Sequence, residues 1–281
     1  LYFLILFLQF TFVLSNELKF EAATIETSNN GNLIQGFGGV EVNDNVNLTL
    51  TGEEFQYNKL DTLLSVKDNV LIRDKFNKNL IKSEKVTFNK KLNIINIPDK
   101  AIIEIDGGYL IEGLNITYDR NLNLIISNNK TSITDLYKNK FYMDTFSYSI
   151  IDKILIAEDV ELTDVDKNVY EIQNIRFNLK TNEIIGKDLS LNFNSENIKT
   201  GQNEPRLKGN AVFYNKNSTK ISKGVFTTCK KDDNCPPWVL SAEKIEHNRV
   251  KKTINYKNAL LKIYDVPVFY FPKFFHPDPT V

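Results

Sequence analysis

The side chains best suited to covalent or metal chemistry in this chain are two cysteines and two histidines. Cys229 and Cys235 stand six residues apart, so they could close a small disulfide loop or bond to partners elsewhere. A zinc site needs about four ligands at suitable spacing, and only His247 and His276 could join the two thiols. The sequence therefore predicts no metal and no cofactor.

Signatures of catalysis and of nucleic-acid binding are both missing from the sequence. It contains no glycine-rich phosphate loop, no His-Glu-x-x-His and no Gly-x-Ser-x-Gly. Carboxylates are plentiful, but scattered Asp and Glu usually form a solvated face. Lys+Arg and Asp+Glu balance at 35 each, so no overall field draws the protein to nucleic acid. We predict that the chain is not an enzyme, that His247 points outward from a strand, and that His276 lies in a turn.

The first fifteen residues predict export. Leu1 to Ser15 are apolar for about the length of a signal-peptide core, and the run is shorter than the ~20 residues of a spanning helix. Val13 and Ser15 fit the −3 and −1 positions of a cleavage before Asn16. An N-terminal strand or a membrane anchor is the alternative. Export would place both cysteines in a compartment where disulfides form.

A repeat of about thirty residues dominates the rest of the sequence. An apolar-polar-apolar triplet ends at Thr27, and its last residue recurs after 30, 31, 30, 30 and 29 positions. Each later triplet is followed by a polar turn, such as Asn58-Lys59, and then by further short apolar segments. Period-two alternation of β-branched and aromatic residues is typical of strands. We therefore predict an all-β, elongated stack of repeats with an apolar interior.

The alternation also predicts which side chains face inward. Residues i and i+2 share one face of a strand, so the outer members of each triplet should line the interior, and middle members such as Thr87 and Thr117 should face outward. One repeat cannot bury its own face, so the open ends of the stack are strand edges that need a cap or a partner. The predicted inward ladder is Phe55, Tyr57, Val86, Phe88, Ile116, Tyr118, Phe146, Tyr148, Ile175 and Phe177.

The C-terminal block differs from the repeats and carries a resemblance to a known family. Its residues form an ordered series that ends in Val-Pro-x-x-Tyr-x-Pro. The series is Cys229, Cys235, Trp238, Ala242, Asn258, Ala259, Pro267, Tyr270 and Pro272. In this series the sequence resembles the N-terminal periplasmic domain of the LptD family of lipopolysaccharide-assembly proteins, also called organic-solvent-tolerance or OstA-like proteins. The upstream repeats resemble the jellyroll that this family shares with sister periplasmic proteins.

The resemblance implies a folded-over β-jellyroll, or β-taco, whose apolar interior accepts the acyl chains of lipopolysaccharide. The inward ladder would then be the lipid-binding site. It also implies a periplasmic jellyroll bridge protein docked by edge-strand pairing, and a plug lipoprotein reached through a C-terminal outer-membrane β-barrel. The domains would be a signal peptide at 1–15, the jellyroll at 16–266 and a lead-in to the barrel at 267–281, on the periplasmic face of the outer membrane.

The same resemblance bears on the cysteines. In the family, cysteines of this domain bond to cysteines near the end of the barrel, and Cys229 matches such a position. Cys235 is an additional neighbour. Whether the two bond to each other or to the barrel stays open at the level of sequence.

Two other functions stay open. One is a soluble bridge jellyroll of the same pathway, and the other is a β-solenoid carbohydrate-active enzyme or adhesin. The solenoid predicts clustered carboxylates on one outer face and an interior filled by side chains. The lipid conduit predicts a groove-like interior whose walls can separate, without an acid cluster.

Overall fold

A computed structural model describes residues 17–105, 108–194, 204–230 and 236–279. Over these residues the chain forms 21 strands of a single sheet and no helix. The paired strands run antiparallel, which hairpin connections permit. The all-β, elongated and repetitive jellyroll predicted from the sequence is confirmed. No helix among the described residues has the length and apolar character to cross a membrane.

Five long strands open the sheet, and each pairs with the next along the chain. They are β1 Lys19–Ser28, β2 Leu33–Asn43, β3 Leu48–Asn58, β4 Leu63–Asp74 and β5 Asn79–Asn89. Their turns place Asn29, Asn30 and Asn45 at positive φ, because the short polar side chain of asparagine tolerates the left-handed conformation best after glycine.

In the middle of the sheet each long strand is replaced by two short ones. The short strands are β6 Ile94–Ile97, β7 Ala101–Ile105, β8 Tyr109–Gly113, β9 Ile116–Asp119, β10 Leu124–Ser127, β11 Thr131–Thr134, β12 Lys140–Met143 and β13 Thr145–Ser149. β5 pairs with both β6 and β7, which continue to β9 and β8 respectively. β10 and β11 follow, and then β13 and β12. The sheet therefore continues through the middle as two side-by-side rows of short antiparallel strands.

Long strands return in the C-terminal half, and the first of them pairs with both β12 and β13. They are β14 Ile154–Thr163, β15 Val169–Asn178, β16 Glu183–Asn192, β17 Arg206–Tyr214, β18 Ser218–Thr227, β19 Trp238–Asn248, β20 Thr253–Ile263 and β21 Val266–Pro277. Among the described residues, β1 and β21 are the two edges of the sheet, since each pairs on one side alone.

The long strands fold over near their middles, and in the strands between the two edges a skip in the burial alternation marks the bend. In β14, Leu155 and Ala157 are buried before the bend and Val160 and Leu162 after it, while Glu158 and Asp159 between them are exposed. Asp159 has φ 48°. Because two successive residues point outward, the strand turns the same face inward on both sides of the bend. Positive φ recurs near the bends of other long strands at Asp68, Asp188, Lys223 and Asn258.

The folded sheet therefore has two arms that enclose one interior. We call the half that carries the triplets the triplet arm and the other half the return arm. Phe141 of the return arm stacks on Phe177 of the triplet arm with ring centroids 5.2 Å apart, and Tyr109 meets the same ring edge-on at 5.8 Å. Burial of an aromatic side chain of this size contributes about 1.5–3 kcal/mol, so contacts between the arms stabilise the fold.

Candidate functional site

The predicted inward ladder lies on the interior face of the triplet arm. Nine of its ten members are at most 3% exposed, and Tyr57 packs against the same core from a partly buried position. The middle residues of the triplets, such as Thr87, Thr117 and Arg176, are partly or fully exposed. The burial of the ladder residues shows that their side chains lie in the interior. Their role in binding lipid stays a prediction.

The first triplet of the repeat departs from this pattern. Ile25 is 46% exposed, and the side chains of β1 that pack against the core are Phe20 and Ala22 instead. A bulge between Ala22 and Thr24 shifts the register of β1, and this strand is an edge. Ile25 stays in the inward register, because it stands opposite Gly36, which stands opposite the buried Phe55. It is exposed because no further described strand covers β1.

We call the opening between the free ends of the two arms the mouth. In the N-terminal half, polar side chains join the arms across it. Nη2 of Arg120, in the turn after β9, donates to Asp44 Oδ2 at 2.8 Å and to Asn47 Oδ1 at 2.5 Å, both in the turn after β2. The Tyr118 hydroxyl donates to Asp74 Oδ2 at 2.6 Å. We call Asp44, Asn47, Asp74, Tyr118 and Arg120 the clasp. It joins the triplet arm to turns at the end of the return arm.

The charge states of Asp44 and Tyr118 in the clasp follow from their burial and their hydrogen bonds. Burial alone raises the pKa of the Asp44 carboxyl, but the amides of Leu48 and Val46 and the Arg120 guanidinium together hold it below its ordinary value. Burial, followed by the hydrogen bond to Asp74, raises the pKa of the Tyr118 hydroxyl far above its ordinary value. At neutral pH the clasp thus holds an ionised carboxylate against Arg120 and a neutral phenol against Asp74.

A second pair of contacts crosses the mouth nearer the centre. The Tyr109 hydroxyl, on the return arm, donates to the Leu179 carbonyl at 2.9 Å and to Asn182 Oδ1 at 3.2 Å. Burial raises the pKa of Tyr109 to about 12, so the phenol remains a donor. The Lys216 ammonium lies 4.7 Å from the centre of the Tyr137 ring. The mouth is bridged here as well.

At the C-terminal end an apolar cavity lies between the arms. Its volume is about 350 Å³. Phe226 contacts Trp238 at 6.0 Å, and Phe271 contacts Phe274 at 5.2 Å between ring centroids. Phe274 is 36% exposed, because no further described strand covers β21. We call this space the C-terminal cavity, and its lining is Phe226, Thr228, Trp238, Leu240, Leu261, Phe271, Phe274, His276, Pro277 and Pro279.

The prediction that His247 points outward is wrong. Its side chain is 1% exposed, and Nε2 lies 2.5 Å from Asp278 Oδ2. His247 shares the inward face of β19 with Ile245, and its ring meets Phe193 at 5.4 Å. The polar ring is tolerated inside because Asp278, 31 residues away, supplies a carboxylate.

The prediction that His276 lies in a turn is also wrong. It lies in β21 opposite Ile254, and its Nε2 is 2.8 Å from the Tyr256 hydroxyl. Burial lowers the pKa of His276. Pro277 and Pro279, which follow His276, suggested a turn, but β21 continues through His276 and ends at Pro277.

Several residues of the C-terminal series shape the last three strands. Ala242 and Ala259 are buried directly opposite each other beside the bends of β19 and β20. Asn258 has φ 52° and donates to Glu243 Oε2 at 2.6 Å, and the Tyr270 hydroxyl donates to Asn258 Oδ1 at 3.0 Å. The pattern Asn-Ala therefore combines a residue that accepts the left-handed bend with one small enough to pack beneath it.

Pro267 and Pro272 both lie in β21, which is an edge strand among the described residues. Pro272 stands at the bend, between the paired residues Phe271 and Lys273, and has no partner in the ladder. A proline has no backbone N–H to donate, so an edge and a bend are the places in a sheet that tolerate it.

The predicted disulfide and the predicted signal peptide both involve residues outside those described. Cys229 is half-buried after β18, with Sγ 3.8 Å from the Trp238 carbonyl. Cys235 and residues 1–15 lie outside the described ranges. Both interpretations stay predictions, as do the domain boundaries at 15 and 266.

Carboxylates gather on the outer face near the bends in the middle of the sheet. Glu112, Asp144, Asp159 and Glu161, with Lys100 and Lys130, line a cleft of about 640 Å³. Glu161 also stands directly opposite Glu171. Within the described ranges no three His, Cys, Asp or Glu side chains are grouped to hold a metal.

Comparison with known proteins gives two likenesses. No family model matches the chain. A stretch of 67 residues, 24% of this chain, is 34% identical to the LPS-assembly protein LptD of Alcanivorax borkumensis, and the match spans 9% of that protein's length. Among solved structures, LptH of Pseudomonas aeruginosa, the LptA homologous periplasmic component of the lipopolysaccharide transport device, aligns at 16% identity with a TM-score of 0.23, covering 50% of this chain and 80% of LptH.

Proposed function

We propose that this chain is a component of lipopolysaccharide transport to the outer membrane and that its two arms receive the acyl chains. The observation that carries the proposal is the C-terminal cavity, an apolar space of about 350 Å³ between the arms. Phe226 and Leu240 in its lining also belong to the buried core that contains the inward ladder. The sequence match to LptD supports the same pathway.

The cavity favours an acyl chain over a polar ligand. Its lining side chains are nearly all aromatic or aliphatic, and each buried methylene contributes about 0.8 kcal/mol. A sugar headgroup would find few hydrogen-bond partners inside and would stay in water. The binding requires no covalent step, so the protein acts as a conduit rather than an enzyme.

The filled central interior sets a condition on transport. Side chains such as Tyr118, Tyr148 and Phe177 occupy the space between the arms at no more than 1% exposure. An acyl chain can lie along the ladder only where the arms separate. Separation would break the clasp, because Arg120 and Tyr118 join the triplet arm to turns of the return arm. We therefore infer a closed resting state that lipid opens.

The edge strands supply the route for cargo. β1 leaves backbone groups of its outer side unpaired among the described residues, and such an edge can add a strand from a periplasmic jellyroll bridge protein. Lipopolysaccharide would then move from that bridge along the arms to the C-terminal cavity and onward to the outer membrane. The match to LptD favours this assembly role over that of a soluble bridge component.

Photo-crosslinking tests the proposal directly. A photo-reactive residue at Phe271, in the cavity lining, should crosslink added lipopolysaccharide, and the same residue at Tyr270, which is 57% exposed on the outer face, should not. Equal crosslinking at the two neighbouring positions, or none at either, would contradict the proposed acyl-chain site.

The outer cleft around Glu161 supports a second, enzymatic candidate, because a carbohydrate-active protein would carry paired carboxylates on such a face. Release of reducing sugar from polysaccharide by the wild type and its loss in Glu161→Gln would favour the enzyme. No release would leave the conduit as the better interpretation.

A further inference from the structure

A row of lysines crosses the outer face of the last three strands. Lys244 of β19 stands directly opposite Lys257 of β20, which stands directly opposite Lys273 of β21. All three side chains are exposed. Lys220 of β18 lies beside this row, with Nζ 4.0 Å from Glu246 Oε1. The lysines lie on the outward face of the sheet, whereas the C-terminal cavity lies between the arms, and Phe274 lines both spaces.

The lysine row lacks the carboxylate partners that several other outward lysines have. Lys67 is 3.1 Å from Glu54, Lys82 is 2.9 Å from Glu104, and Lys100 is 3.0 Å from Glu112. In the described part of the chain, Lys244, Lys257 and Lys273 have no carboxylate within 4.0 Å. Like charges directly opposite each other destabilise a sheet. An external anion would relieve that repulsion.

The shape of this face favours a surface over a small ion. The lysines border a shallow depression of about 770 Å³, whose outer rim includes Phe275. Phe275 is 66% exposed. It follows Lys273 by two residues in β21, so both side chains lie on the outward side of the sheet, together with Asn255 and Glu246. Free phosphate would satisfy the lysines but would leave the phenyl ring in water. A bilayer surface offers phosphates to lysines and an interfacial layer to an aromatic ring.

We propose that Lys220, Lys244, Lys257 and Lys273, together with Phe275, form a face that docks on the surface of an anionic phospholipid bilayer. The lysines lie against the headgroup phosphates, and Phe275 enters the interfacial region. The docking holds the C-terminal end of the sheet at a membrane while the interior remains free for other ligands.

Vesicle co-sedimentation of the 281-residue chain tests this face. Binding should be stronger to phosphatidylcholine vesicles containing phosphatidylglycerol than to phosphatidylcholine alone, and it should weaken as salt rises. The triple variant K244Q/K257Q/K273Q should lose about fivefold in affinity for anionic vesicles per lysine removed. The matched variant K59Q/K91Q/K180Q removes three exposed lysines of distant turns and should bind as the wild type does.

Two controls address the apolar N-terminus and the folding of the variants. The apolar residues 1–15 are present in every variant, so the readout is the difference between anionic and neutral vesicles. Thermal unfolding should show that the triple variant is at least as stable as the wild type, because its substitutions remove repulsion.

Three results would overturn membrane docking by this face. The first is an equal loss of vesicle affinity in both triple variants, and the second is equal binding of the wild type to neutral and anionic vesicles. The third is full displacement of vesicles by inorganic phosphate, together with normal vesicle binding by Phe275→Ser. Lipopolysaccharide crosslinking at Phe271 should be unchanged in K244Q/K257Q/K273Q. A failure of membrane docking is therefore distinguishable from a failure of the lipid conduit.

Discussion

Tyr118 shows how one side chain serves both the core and the mouth of the folded sheet. Its ring is 1% exposed among the inward ladder, while its hydroxyl donates to Asp74 Oδ2 at 2.6 Å on the other arm. Tyr109 repeats the arrangement with the Leu179 carbonyl. Aromatic alternation predicts the ring positions. It does not predict the polar partners, which come from turns 44 and 70 residues away in sequence.

The ion pair of the clasp should be costly to break from one side. In Arg120→Met the buried carboxylate of Asp44 loses its cation, since the two side chains are 10% and 6% exposed in the wild type. We expect a loss of about 3 kcal/mol in the free energy of unfolding, measured by urea denaturation. Arg73→Met, at an exposed position, should change it by less than about 0.5 kcal/mol. Equal midpoints for wild type and Arg120→Met would contradict the buried ion pair.

The clasp should also make stability depend on pH in the acid range. The pKa of Asp44 is lowered on folding, so its ionised form contributes stability above the unfolded-state pKa of about 3.9. That contribution is lost as the pH falls through the lower folded-state pKa. Melting temperatures of wild type and Asp44→Asn should therefore differ at neutral pH and converge in strong acid. A difference that stays constant over the whole range would assign the effect to packing instead.

At the scale of the strand, the bend is the feature that the alternation pattern alone does not reveal. The period-two pattern predicts the strands of the triplet arm, because β-branched and aromatic residues recur at fixed spacing. At the bend two outward residues follow each other, as Glu158 and Asp159 do, and in sequence this looks like a strand end or a bulge. The folded-over form was expected from the family resemblance, and the backbone at positive φ supplies its physical cause.

The error on His247 has the same origin as the unpredicted hydrogen-bond partners of Tyr118 and Tyr109. A polar ring is normally assigned to the outward face, and nothing near His247 in sequence indicates a buried partner. The partner is Asp278, which follows β21 and reaches His247 across β20, the strand that lies between β19 and β21. Long-range pairing of buried polar groups is therefore the part of this site that sequence patterns could not predict.

A substitution at the bend tests the role of the left-handed residues. Asn258 has φ 52°, which a β-branched residue adopts only with strain. Asn258→Val should lower the free energy of unfolding by about 1–3 kcal/mol relative to Asn258→Gly, measured by thermal denaturation. Both variants lose the hydrogen bonds to Glu243 and Tyr270, so the comparison isolates the backbone. Equal stability of the two would mean that the bend does not require this conformation.

At the scale of the whole molecule, the closed arms and the open cavity describe a sheet that is shut along its middle and accessible at one end. Phe226 and Phe274 border the accessible space, while Tyr148 and Phe177 fill the closed part. The clasp and the Tyr109 contact lie on the closed part. If lipid passes along the interior, it should enter only as far as the arms separate at the mouth.

Weakening the clasp should therefore increase the entry of lipid into the central repeats. A photo-reactive residue at Phe146, which is 3% exposed on the inward face, should crosslink lipopolysaccharide more strongly in an Arg120→Met background than with the clasp intact. The comparison is made well below the melting temperature of the variant, because the substitution also destabilises the fold. A probe at Ser147, on the outward side, should give the same low yield in both backgrounds.

The outcome distinguishes two kinds of interior. A higher yield at Phe146 alone would mean that the arms separate and that the buried ladder is a lipid path held shut by polar contacts. An unchanged yield at Phe146, with crosslinking retained at Phe271, would confine the lipid to the C-terminal cavity and leave the ladder as a packed core. A rise at both Phe146 and Ser147 would indicate general unfolding, which contradicts separation of intact arms.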